Sequence, residues 1–84
     1  LIEVHLYGQL RRAAAQSGVH RPSVTWVGME EGTVARVLEV LGLDRAEVGN
    51  VFINGRYTYA ALDLTVRSGD RLGIFPTTMR MLYV

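Results

Sequence analysis

Only one stretch of this chain carries a helical period, and that constrains the fold more than any other feature. Val34, Val37, Leu38 and Leu41 fall at i, i+3, i+4 and i+7, which makes a single apolar stripe along a short helix. Thr33 stands where a cap is needed, and Gly42 where the helix has to end in left-handed backbone. A lone amphipathic helix must lay its stripe against another layer, and the flanking segments alternate like strands. The covering layer is therefore a sheet.

Ile2, Val4 and Leu6 alternate with Glu3, His5 and Tyr7 in a first strand that ends at Gly8. Gln9 to Ala15 reads as a short helical turn. Val19 to Val27, rich in β-branched residues, is expected to form a second strand, with Pro22 marking an edge or a late start. Residues 28–32 are expected to be a loop, and Asp44 to Val48 one further turn capped by Asp44. Phe52-Ile53-Asn54-Gly55-Arg56-Tyr57 carries the Asn-Gly signal of a type I′ hairpin. Ser68-Gly69-Asp70 is another turn, and Arg71 to Phe75 a final strand. The order strand, strand, helix, then three strands describes an α+β β-grasp: a mixed sheet of four to five strands packed on one main helix. With 49% of 84 residues apolar, one domain over residues 1–76 is expected, followed by an apolar C-terminal extension over residues 77–84.

Val51-Phe52-Ile53-Asn54-Gly55-Arg56, followed by Ser68-Gly69-Asp70-Arg71-Leu72-Gly73-Ile74-Phe75-Pro76, resembles the MoaD/ThiS family. Its members include the small subunit of molybdopterin synthase and the sulfur carrier of thiamine biosynthesis, both ubiquitin-like. Tyr7-Gly8 with Leu10-Arg11, and Thr33-Val34 with Val37-Leu38 and Leu41-Gly42, extend the resemblance over most of the chain. The resemblance implies a β-grasp scaffold that works by binding proteins. In the carriers the chain stops a few residues past Phe-Pro in Gly-Gly, whose carboxylate is adenylated and converted to a thiocarboxylate. Here Arg80-Met81 stand near that place, and a Cβ at either position obstructs the threading that adenylation needs. The expected function is that of a non-catalytic, protein-binding accessory subunit of a larger enzyme or pathway complex. The alternative is a sulfur carrier of the molybdopterin or thiamine type, working through a processed or atypical C-terminus.

If Ile2, Val4, Leu6, Val51, Ile53, Leu72 and Ile74 face the helix, period two sends His5, Tyr7, Phe52, Gly73 and Phe75 to the opposite side. The first, last and third strands of a β-grasp lie side by side, so these residues should form one aromatic patch suited to a protein partner. Met79, Met81, Leu82 and Tyr83 in the extension add flexible apolar contacts. His5, Tyr7, Phe52, Phe75, Met79, Met81, Leu82 and Tyr83 are thus the candidate partner-binding residues.

The remaining composition mostly excludes. There is no Cys, which removes disulfides, thiolate metal sites and a cysteine nucleophile. All nine cations are Arg, so a Schiff-base lysine is excluded as well. His5 and His20 lack partners at ligand spacing, and Ser17, Ser23 and Ser68 lack a nucleophile turn. No catalytic residue, metal or cofactor is therefore expected. A net charge of +1 argues against nucleic acid, although Tyr57 and Tyr59 beside Arg56 could stack and pair with RNA. Apolar runs fall far short of the roughly 20 residues of a membrane span, and the cytoplasm is the expected location.

Overall fold

The computed structural model describes residues 1–13 and 24–77. Among the described residues five strands form one mixed sheet: β1 (Ile2–Leu6), β2 (Val24–Val27), β4 (Val48–Ile53), β5 (Arg56–Tyr57) and β7 (Arg71–Pro76). Their order across the sheet is β2-β1-β7-β4-β5. β1 and β7 run parallel at the centre, and the other pairs are antiparallel. The one α-helix among the described residues, α1 (Val34–Leu41), buries Val34, Val37 and Leu38 against the sheet, while Leu41 is half-buried at its end. This is the ubiquitin-like β-grasp architecture.

Local chemistry sets the helix ends as expected. The Thr33 hydroxyl accepts the Arg36 N–H at 3.1 Å, satisfying one of the donors that a helix start leaves unpaired. Gly42 takes φ 76°, and its N–H bonds back to the Glu39 carbonyl. Asp44 caps a 3-10 turn, Arg45–Glu47: its side chain accepts the Ala46 N–H, and the Glu47 carboxylate accepts the Asp44 N–H. The first helical turn is also 3-10, over Gly8–Ala13, and drives Leu10 into the core.

Two strands that period and composition hide are present. β3 (Glu31–Thr33) pairs antiparallel with β6 (Thr65–Arg67) in a separate ribbon, so the expected loop over residues 28–32 is corrected at its end. Glu31-Gly32-Thr33 has no apolar alternation to announce a strand. Its pairing comes from across the chain, where Val66 is fully buried, and the Leu64 carbonyl receives the Val34 N–H at 3.0 Å. The second expected strand is described only over Val24–Val27, its remainder lying outside the described residues.

Ile2, Val4, Leu6, Leu72, Ile74 and Val51 are at most 4% exposed and face α1 with Leu38 and Leu10. The inward assignment therefore holds, with Ile53 only partly buried near the sheet margin. Asn54 and Gly55 sit at φ 52° and 85°, the left-handed pair that a type I′ turn demands.

Candidate functional site

Because α1 covers one face of the sheet, strand alternation sends the other residues of β1, β7 and β4 to the uncovered face. On β1 these are Glu3 and His5, with Tyr7 just beyond the strand; on β7 they are Arg71, Gly73 and Phe75. Register then brings them together. His5 lies opposite Gly73 on the parallel pair, and Phe52 lies opposite Gly73 from the other side. Phe52 in turn faces Tyr57 of β5.

The aromatic side chains pack on one another. Tyr7 and Phe75 stack with centroids 4.1 Å apart and planes 7° from parallel. Phe52 meets Phe75 edge-on at 5.5 Å and Tyr57 edge-on at 5.7 Å. Edge-to-face pairs of this kind suit the ring quadrupoles. Mutual packing is also why Tyr7, Phe52 and Phe75 are half-buried rather than fully exposed, as a flat patch would be.

Gly73 leaves a gap in the middle of this row. A Cβ there would lie 3.6 Å from the Phe52 Cβ and 3.8 Å from the Tyr7 ring, which is ordinary contact without collision. The result is a concavity of about 380 Å³, floored by Gly73 and walled by His5, Tyr7, Phe52, Phe75 and Arg71. It is mostly apolar with a few polar groups at its margin, the common make-up of a recognition site.

The polar rim is asymmetric. Glu3 lies opposite Arg71 in register, yet its carboxylate is hydrogen-bonded to His5 Nε2. Arg71 instead extends over the hairpin turn, its Nη2 4.0 Å from where a Cβ on Gly55 would sit. All eight acidic residues of the chain are described, and none forms an ion pair with Arg71. Asn54 fixes the Arg71 backbone, its Oδ1 accepting the Arg71 N–H at 2.9 Å while its Nδ2 donates to Asp70 at 3.2 Å. The Asp70 carboxyl is held below its ordinary value, first by the Arg67 backbone N–H and then by the Asn54 amide.

Four of the candidate residues, His5, Tyr7, Phe52 and Phe75, thus converge on one concavity. Met79, Met81, Leu82 and Tyr83 lie outside the described residues. Arg56 pairs with Ile53 and Tyr57 with Phe52, so alternation turns Arg56 to the opposite face from Tyr57. Arg71 and Gly73 join the concavity without any local motif to mark them, except that an isolated glycine inside an alternating strand signals a bulge or a close approach. Among the described residues no three His, Cys, Asp or Glu side chains cluster to hold a metal ion, and no helix is long and apolar enough to cross a membrane.

A comparison with curated proteins gives no match. The family described as Mut7-C ubiquitin matches residues 1–82. That match spans nearly the whole chain and agrees with the sheet order and single helix described above, so this chain belongs to the Mut7-C ubiquitin family of ubiquitin-like domains.

Proposed function

We propose that this domain is a non-catalytic binding module related to the MoaD/ThiS proteins, and that the uncovered sheet face docks a protein partner within a larger cytoplasmic enzyme or pathway complex. The observation that carries this reading is the half-buried cluster of Tyr7, Phe75 and Phe52 around the concavity at Gly73. A contiguous apolar surface with a hollow at its centre costs solubility unless a partner covers it. Aromatic residues at the middle of such a surface are the usual anchors of an interface.

The test is affinity capture from native-host extract with the parent chain and with Phe75→Asp, each first shown to be folded. A partner retained by the parent and lost by the variant supports the reading. Equal retention by both places the interface elsewhere and overturns it.

The second reading is a sulfur carrier with a processed terminus, favoured by the Phe75-Pro76 ending that this chain shares with the carriers. Arg80 and Met81 oppose it, since both carry side chains where the carriers need glycine. Intact mass of the native protein separates the two. A terminus ending in glycine, or a gain of one sulfur for one oxygen, would replace the binding module with the carrier.

A further inference from the structure

Gly73 is not where backbone conformation requires glycine, since its φ is not positive. A Cβ would make only ordinary contacts there, so close packing does not require glycine either. What the missing side chain does provide is room: Gly73, between His5 and Phe52, lines the concavity with backbone alone. One rim of that hollow carries Arg71, whose guanidinium pairs with no carboxylate among the described residues, which include all eight acidic side chains. Glu3, its neighbour in register, is taken by His5.

Resting on the protein-binding reading, we propose that the hollow at Gly73 receives one apolar side chain of a linear peptide segment in the partner, and that Arg71 takes a carboxylate beside it. The guanidinium suits that role through its planar, forked donors and weak hydration. The Arg71 backbone is also fixed beside the hollow. Asn54 pins its backbone N–H, and the side chain lies along the turn at Gly55. The occupant is a peptide rather than a nucleic acid because the rings pack on one another instead of lining up along a basic groove. Tyr7 and Phe75 stack on each other, and Phe52 stands edge-on between Phe75 and Tyr57. Single-strand binders instead offer free aromatic faces to successive bases along a basic groove, whereas here one arginine borders the hollow and Arg56 faces the other way.

The experiment selects short linear peptides from a phage-displayed random library on the full chain, then maps the enriched peptide by backbone amide shifts. Expected is enrichment of an apolar residue next to Asp or Glu, with the largest shifts at Gly73, Arg71 and Phe52. Arg71→Glu should exchange the acidic preference for a basic one. Gly73→Leu fills the hollow and should weaken the enriched peptide at least about tenfold, as loss of a central anchor does. Gly73→Ala, whose added methyl fits without collision, should bind nearly as the parent does and controls for strand distortion. Enriched peptides without the apolar-acidic pair, or an unchanged preference in Arg71→Glu, would overturn the assignment. So would shifts at the same amides with a single-stranded oligonucleotide but with no peptide. If Phe75→Asp loses the native partner while Gly73→Leu and Arg71→Glu keep it, the binding face stands and the peptide assignment falls. If all three variants keep the partner, both fall.

Discussion

Asn54 and Asp70 lie on two different turns, yet their side chains meet at 3.2 Å. Asn54 also accepts the Arg71 N–H, and Asp70 accepts the Arg67 N–H at 2.9 Å. Each residue is the type its own turn favours. Together they tie the β4–β5 hairpin to the start of β7, and so set where Arg71 stands beside the concavity.

Asn54→Ala is expected to destabilise the fold by about 1–3 kcal/mol, since it removes two side-chain hydrogen bonds and leaves alanine at a positive φ. Asn54→Gly keeps the backbone comfortable and should cost less. Denaturant melts of both variants check the order, and equal stability of the alanine variant and the parent would refute the tie.

Thr33→Ala should cost about 1 kcal/mol through loss of the cap on α1. Leu38→Ala, on the stripe that packs the sheet, should cost roughly 2–5 kcal/mol. The same melts measure both, and a Thr33→Ala variant as stable as the parent would refute the cap.

Acid should loosen the two carboxylates that are held ionised. Glu47 is lowered first by the Asp44 backbone N–H and then by Arg12, whose Nη2 lies 2.7 Å from Oε1. Asp70 is lowered by the Arg67 N–H and Asn54. A depressed folded-state pKa adds stability that is complete above the unfolded value, about 4 for a carboxylate, and is lost as pH falls through the folded value. Melting temperature should therefore drop from about pH 5 downward, and Glu47→Gln and Asp70→Asn should each flatten that slope. Unaltered slopes in both variants would rule these two groups out as its source.

Phe52→Asp and Phe75→Asp should remain folded, because neither ring belongs to the core beneath the sheet. Each loses two ring contacts, at about 0.5–1.5 kcal/mol per pair, so the melting temperature should fall. Association with the partner should weaken by more than about 1 kcal/mol for each. Dispersed amide spectra check the fold, and titration of the captured partner checks the affinity.

Local pattern was enough to read the elements whose cause is local. The stripe from Val34 to Leu41, its cap at Thr33 and its stop at Gly42 need only neighbours a few residues away, and the Asn54-Gly55 turn needs only its own two positive φ values. Alternation in β1 and β7 likewise assigned Leu6 inward and Tyr7 and Phe75 outward, because a pleated strand leaves no other choice once one face is buried. What tertiary structure decided are pairings between distant segments. Glu31–Thr33 becomes a strand only because Thr65–Arg67 lies beside it. Gly73 becomes the floor of a hollow only because His5 and Phe52 flank it from two other strands. Among the described residues Arg71 meets no carboxylate, and Glu3, its neighbour across the sheet, is bonded to His5 instead. Those facts depend on register between strands, a relation between segments that no single stretch of sequence contains.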